Sequence, residues 1–167
     1  MVVIKLKTLL LLVLPILIVS VAIANRDYLR EHRARAFTSA AWEGELWKLR
    51  LLHLLGADVN TYAPGNGPAI IAAALTGQTN AISYLLDRGA EINQQDKYGY
   101  TPLIAAADQG HEETVRHVLS RGADANAVSW DGSALRRAIE EDHSEIVTIL
   151  KENGAKDCYG YQFNDCK

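Results

Sequence analysis

The sequence predicts an all-α solenoid of about four helix-turn-helix repeats with short hairpin connections, preceded by an N-terminal hydrophobic helix. The first observation is a Gly-Ala pair that recurs at spacings of 33, 33 and 32 residues. Its glycines are Gly56, Gly89, Gly122 and Gly154. The second is a marker twelve residues earlier: Gly44, Gly77, Gly110 and Asp142. Apolar residues between the markers keep a helical spacing, as at Ile82/Leu85 and Val115/Val118. Self-similarity at such a period indicates stacked repeats, each covering its neighbour's apolar face.

Length and charge limit the function classes. The chain has 167 residues, which is enough for one domain with its own core. Its formal net charge is −3, so the overall charge gives no reason to expect binding to nucleic acid or to an anionic membrane. Membrane contact is expected only through the N-terminal segment, if that segment is not cleaved. Apolar residues make up 49% of the chain, and many of them lie in the first 24 positions.

Residues 1–24 have the pattern of a signal peptide. Lys5 and Lys7 precede an apolar run from Leu9 to Ala24, and Ala22 and Ala24 are small residues of the kind that signal peptidase requires. The run is shorter than the roughly 20 residues that span a bilayer. This pattern predicts cleavage after Ala24 and an exported, periplasmic protein.

The same segment has an alternative interpretation as an uncleaved membrane anchor. Counted from Val2, with its lysines reaching toward the interface, the segment is just long enough to span a bilayer. Four arginines follow it directly: Arg26, Arg30, Arg33 and Arg35. On the positive-inside rule they would hold the rest of the chain in the cytoplasm.

Two cysteines, Cys158 and Cys166, lie in the C-terminal tail, residues 157–167. A close pair that is absent from the rest of the chain suits a disulfide in an oxidising compartment. Closing this loop is worth roughly 2–3 kcal/mol on the chain-entropy estimate. The alternative is two unrelated free thiols.

The repeats follow a charged segment, residues 25–34, which is a linker or a polar cap of the first helix. They cover about residues 35–63, 64–96, 97–129 and 130–156. The third is the most regular: Thr101-Pro102-Leu103 opens one helix, Gly110-His111 separates it from a second, and Gly122-Ala123-Asp124 ends that one. Proline suits the first helical position, and glycine suits the position after a helix end.

This pattern resembles the ankyrin-repeat family, and the resemblance extends over about residues 35–156. It implies stacked helix pairs whose hairpins project from one side, and a groove between hairpins and first helices that binds another protein. Ile104 departs from the family pattern, which has histidine there. The fourth repeat is one residue shorter, and its polar residues suit a solvated end of the stack. These are Arg136, Arg137, Glu140, Glu141 and Glu145.

No set of residues predicts catalysis, a metal or a cofactor. His111 and His143 occupy one repeat position, which favours packing or capping over ligand duty. No Ser/His/Asp set is assignable, and the glycines match no phosphate-binding loop. The sequence therefore predicts a protein that is not an enzyme.

Aromatic and charged residues at the hairpin tips are the candidate partner-binding residues. They are Tyr62, Lys97, Tyr98, Tyr100, Trp130 and Asp131, with Asp108 on a first helix. Tyrosine and tryptophan are common at binding hot spots. The alternative is that Tyr98 and Trp130 only pack on neighbouring hairpins. Trp42 and Trp47, in the first repeat's helices, are predicted to be core residues.

We therefore expect an exported, monomeric, non-catalytic protein that acts as a scaffold or inhibitor by binding another protein, whose identity the sequence does not give. Two alternatives stay open. One is a single-pass, membrane-anchored protein that displays the same repeats. The other is an immunity-like protein that neutralises a toxic enzyme.

Overall fold

A computed structural model describes residues 28–63 and 67–159 of the chain. Helix α1 comprises residues 28–43 of that part. The other helices are α2 (Leu46–Leu54), α3 (Ala69–Leu75), α4 (Thr79–Asp87), α5 (Pro102–Asp108), α6 (Glu112–Ser120), α7 (Ala134–Glu140) and α8 (Ser144–Glu152). They form four antiparallel pairs that stack in chain order, which confirms the predicted all-α repeat fold. The predicted N-terminal hydrophobic helix, with Ala22 and Ala24, lies outside the described residues.

The second, third and fourth pairs each join a short inner helix to a longer, amphipathic outer helix, whereas in the first pair α1 is longer than α2. In α5 the Thr101 hydroxyl accepts a hydrogen bond from the Ile104 amide at 3.3 Å, which caps the helix before Pro102 at its first position. Residues 102–107 of α5 are all buried, because the neighbouring inner helices α3 and α7 pack on either side. In α6, Val115 and Val118 face these inner helices, while the first turn of the helix is acidic.

Short hairpins connect successive repeats, as predicted. Strand β1 (Tyr62–Ala63) pairs antiparallel with β2 (Gly67–Pro68), and β3 (Val128–Ser129) pairs with β4 (Gly132–Ser133). The connection from α4 to α5 is a tight turn in which the Asp96 amide donates to the Tyr100 carbonyl at 3.0 Å. The hairpin tips thus project beside the first turns of the inner helices.

Recurrent polar contacts join one repeat to the next. His111 Nε2 donates to the Leu75 carbonyl at 3.1 Å, and His143 Nε2 donates to the Asp108 carbonyl at 3.2 Å. Asn93 Oδ1 accepts the Asp124 amide of the following repeat at 2.9 Å. The predicted packing role of the two histidines is therefore confirmed, and these contacts fix the register of the stack.

The two ends of the stack differ. At the N-terminal end, residues 28–34 are helical and continue into the rest of α1, and Arg33 Nη1 donates to the Gly56 carbonyl at 3.4 Å. At the C-terminal end the Ser133 hydroxyl donates to the Lys156 carbonyl at 2.8 Å, and the Ser133 amide donates to the Cys158 carbonyl at 3.0 Å. The start of the tail therefore covers the last hairpin. Because Cys166 lies outside the described residues, its bond to Cys158 stays a prediction.

The prediction that Trp42 and Trp47 belong to the core is wrong. Their side chains are 49% and 66% exposed, whereas Leu49 on the same helix pair is fully buried. Trp47 precedes Leu49 by two residues, which is about 200° around a helix. It therefore faces away from the core. Within residues 28–63 and 67–159, no helix is both long and apolar enough to cross a membrane.

Candidate partner-binding groove

A groove lies where the hairpin tips of the third and fourth repeats meet the inner helices α3 and α5. Its cavity of about 470 Å³ is lined by Ile71, Leu75, Asp96, Tyr98, Tyr100, Asp108, Trp130 and Asp131. Five of the residues predicted from sequence share this cavity: Tyr98, Tyr100, Asp108, Trp130 and Asp131. The structure thus brings together tips that are about 30 residues apart in the chain.

Asp96 shapes the turn that presents the two tyrosines. Its Oδ1 accepts the backbone amides of Tyr98 at 2.8 Å and of Tyr100 at 2.9 Å. Between them Gly99 has a φ of +80°, which side chains with a Cβ rarely adopt. A Cβ at Gly99 would lie 3.1 Å from the Ser129 Cα, so the neighbouring hairpin packs closely here. Aspartate and glycine together fix the direction of both rings.

Tyr98 and Trp130 form the aromatic rim of the groove. Their ring centroids are 5.5 Å apart with the planes at 84°, and the Trp130 amide donates to the Tyr98 carbonyl at 3.0 Å. An edge-to-face contact of this kind is favourable for aromatic pairs. The predicted packing between neighbouring hairpins is therefore present, yet the two residues are still 45% and 52% exposed. Neighbour packing holds these rings in place and leaves half of their surface accessible.

An ion pair closes the inner-helix side of the groove. Arg137 Nε donates to Asp108 Oδ1 at 2.5 Å, and its two other nitrogens donate to Glu140 at 2.6 Å and Glu141 at 2.8 Å. The side chains of Arg137 and Asp108 are only 18% and 12% exposed. Burial opposes the charge of Arg137, but the hydrogen bond and the attraction of Asp108 outweigh it and raise the arginine pKa. The negative charge of Asp108 is therefore balanced by Arg137 within the protein.

Tyr100 bridges the two hairpins by donating its hydroxyl to Asp131 Oδ2 at 2.9 Å. Burial and this hydrogen bond raise the pKa of Tyr100 above its ordinary value. The phenol thus stays neutral and presents its ring to the cavity. Because Asp131 is exposed, its carboxylate adds negative charge to the rim.

The remaining predicted residues lie beside the groove. Lys97 is not in the lining, but its Nζ lies 4.7 Å from the centroid of the Tyr98 ring, a cation–π distance. The Tyr98 side chain raises the pKa of Lys97. Tyr62 contributes instead to a separate shallow cavity beside Arg30 and Asn60. The structure thus divides the predicted set into a groove and an isolated tip.

Sequence reasoning missed three lining residues, Ile71, Leu75 and Asp96. Leu75 has the same repeat position as Asp108, which the sequence did predict to lie at the groove, so the repeat register alone predicts a groove position for Leu75 as well. Trp42 stands at this position in the first repeat, so it extends the row of inner-helix residues toward the N-terminal end. Asp96 carried a signal as well, since an aspartate two residues before a tyrosine and three before a glycine favours a side-chain-capped turn.

No group of histidine, cysteine or acidic side chains in the described ranges has the arrangement of a metal site. The family model for ankyrin repeats (three copies) matches residues 37–129, more than half of the chain. The fourth repeat follows that match. A comparison of the sequence with curated proteins gives no match. The period, the stacked helix pairs and the family match agree, and the chain belongs to the ankyrin-repeat family.

Proposed function

We propose that this ankyrin-repeat module binds one partner protein in the groove between the Tyr98 and Trp130 tips and the inner helices, and has no catalysis of its own. Ankyrin repeats are interaction modules, and the described groove supplies a place for that interaction. The observation that carries the proposal is the half-exposed Tyr98–Trp130 pair. Because the rings are already ordered, binding them costs little conformational entropy.

The groove suits a partner segment that presents an apolar side chain flanked by lysine or arginine. Its floor is apolar at Ile71 and Leu75, next to the aromatic rings. Its rim carries the carboxylates of Asp96 and Asp131, while the charge of Asp108 is already paired. An apolar anchor would displace water from the floor, and basic neighbours would complement the rim.

The proposal includes an exported monomer that acts as a scaffold or inhibitor, with residues 1–24 removed as a signal peptide. Its support is the pattern of Lys5 and Lys7, the apolar run and Ala22/Ala24. N-terminal sequencing of the protein isolated from its host tests this. A first residue of Asn25 is expected, and an intact Met1 would remove the signal-peptide hypothesis in favour of the anchored form.

Affinity purification followed by mass spectrometry tests the groove, with the purified partner then used for titration calorimetry. The double substitution Tyr98→Ala, Trp130→Ala should raise the dissociation constant at least about tenfold. Truncating a hot-spot residue costs more than about 1 kcal/mol of binding free energy. Tyr28→Ala is the matched control, since Tyr28 is an exposed tyrosine of α1 that does not line the groove. Equal partner recovery with the wild type and the double variant would place the interaction on another surface.

A further inference from the structure

Helix α2 and the residue that caps its C-terminal end, Leu55, carry an exposed apolar stripe that the groove does not use. Its members are Trp47, Leu51, Leu54 and Leu55, and the three leucines are 46%, 83% and 58% exposed. They stand at positions i, i+4, i+7 and i+8, so they share one face within an arc of about 100°. Four large side chains with this exposure form a patch of roughly several hundred Å², the scale at which interaction sites occur.

The repeat architecture does not require these residues to be apolar. The other outer helices carry polar residues at most of the same positions. The position of Trp47 holds Asn80, Glu113 and Glu145, that of Leu54 holds Asp87, Ser120 and Glu152, and that of Leu55 holds Arg88, Arg121 and Asn153. Only at the position of Leu51, with Tyr84, His117 and Ile149, do two of the other repeats also carry a large apolar or aromatic side chain. The stripe is therefore a property of the first repeat alone.

Charge distinguishes the first repeat from the rest of the chain. Residues 26–56 carry six lysines and arginines and four acidic residues. Residues 57–167 carry nine lysines and arginines and sixteen acidic residues. On α2 itself Lys48 and Arg50 flank the stripe on either side of the helix, although Lys48 is also paired with Glu45 at 2.8 Å and Glu43 at 3.7 Å. Tryptophan and leucine bordered by basic residues are typical of a helix that lies in the plane of a membrane interface. The acidic remainder favours an orientation in which the other repeats point away from anionic lipid.

The stripe lies beside α1, the first helix of the described chain. The Arg33 guanidinium donates to the Gly56 carbonyl, so this part of α1 lies beside the end of α2 that carries Leu54 and Leu55. Arg33 is nine residues after Ala24, a distance of at most about 30 Å for an extended chain. In the membrane-anchored alternative, in which residues 1–24 stay on the chain and enter a bilayer, the stripe would be within reach of the same interface.

We propose that the α2 stripe rests on an anionic lipid surface, with Trp47 at the boundary between headgroups and acyl chains. The surface is separate from the groove, which is built on α3, α5 and the hairpin tips. Lipid contact therefore leaves the groove open to a protein partner, and the inference does not depend on the groove binding one.

Tryptophan fluorescence in vesicles tests the proposal with the full chain. The chain is reconstituted in phosphatidylcholine/phosphatidylglycerol vesicles, with and without brominated acyl chains, which quench tryptophan on contact. Trp42→Phe, Trp130→Phe leaves Trp47 as the reporter, and Trp42→Phe, Trp47→Phe leaves Trp130 as the matched control. We expect brominated lipid to quench Trp47 several-fold more strongly than Trp130.

A second variant keeps Trp47 and changes the rest of the stripe. Leu51→His, Leu54→Ser and Leu55→Arg introduce the residues that α6 carries in register, so the scaffold already accepts them elsewhere. Quenching of Trp47 should then fall toward the Trp130 level, while circular dichroism melting shows that the variant is folded. Equal quenching of Trp47 and Trp130 in the folded parent chains overturns the proposal. The proposal is also overturned if Trp47 is shielded from acrylamide but is not quenched by brominated lipid. That result would mean that a second copy of the chain or another protein covers the stripe.

Discussion

Replacing Gly99 with alanine tests whether the hairpins of the third and fourth repeats are packed as closely as the groove requires. Gly99 lies in the turn between Tyr98 and Tyr100, with a φ of +80°. An added Cβ would meet the Ser129 Cα at 3.1 Å, which is backbone and cannot rotate away. Gly89 offers a matched control, because its φ is +90° and an added Cβ there has no heavy atom within 4 Å.

Both substitutions place an alanine at positive φ, but only Gly99→Ala also adds a close contact with Ser129. An alanine in the left-handed region costs about 1–2 kcal/mol, partly offset by about 0.5 kcal/mol because alanine restricts the unfolded chain. Gly89→Ala should therefore lower the free energy of unfolding by about 1 kcal/mol. At Gly99 the overpacked contact adds about 1–3 kcal/mol. Gly99→Ala should then cost about 2–4 kcal/mol in total.

Urea unfolding followed by circular dichroism measures the free energy of unfolding of both variants, and the dependence of that free energy on urea concentration should be the same for the two. We also expect Gly99→Ala to weaken partner binding, because a displaced hairpin moves the Tyr98 ring away from Trp130. Gly89→Ala should leave binding unchanged. Equal destabilisation by the two substitutions would show that the hairpins are not in close contact at Ser129.

Three further changes test the ion pair of Arg137, the partly buried phenol of Tyr100 and the C-terminal tail. Arg137→Met leaves the mostly buried Asp108 carboxylate without its cationic partner and with a hydrogen bond from Gln109, so urea unfolding should show a loss of about 1–3 kcal/mol. No loss would mean that the ion pair is not formed. The raised pKa of Tyr100 means that the folded state holds this proton more tightly, so stability should fall as pH rises above the ordinary value of 10.0. Tyr100→Phe should remove that part of the loss, and parallel pH profiles would contradict it. Reductant should lower the melting temperature if Cys158 and Cys166 are bonded, by an amount equivalent to roughly 2–3 kcal/mol, and identical melting would mean that they are not.

The repeat period made the fold predictable from sequence because each repeat is buried by copies of itself. Once the glycines at 33 and 32 residue spacings set the register, the helix pairs and hairpins followed. Five of the eight groove-lining residues were also predicted, since tips in register must lie side by side. Aromatic composition then selected Tyr98, Tyr100 and Trp130 among them.

The repeat register explains why two tryptophans of the first repeat are exposed. Their place in the first repeat's helices predicts that Trp42 and Trp47 are core residues, and this prediction is wrong. Trp47 shares its position with Asn80, Glu113 and Glu145, all of which are exposed. Trp42 shares its position with Leu75 and Asp108, which are partly exposed at the groove. A residue's place in the repeat decided its burial more strongly than its side chain did.

What the sequence could not give was the pairing of particular polar groups. Arg137 was expected to help solvate the last repeat, but it is mostly buried against Asp108 of the previous one. Which carboxylate an arginine selects depends on distances of a few ångströms across the stack. No periodic pattern contains that information, because the partner is not a repeat-wide feature.

The exposed stripe on α2 contains leucines that the stability of the first repeat does not require. Leu54 is 83% exposed, so it removes little apolar surface from water and contributes little to the core. A serine or an aspartate stands at its position in the next two repeats without loss of the fold. Folding therefore gives no reason for leucine there, and an exposed apolar stripe favours association. A surface that folding does not need and that solubility disfavours is best explained by contact with something outside the chain.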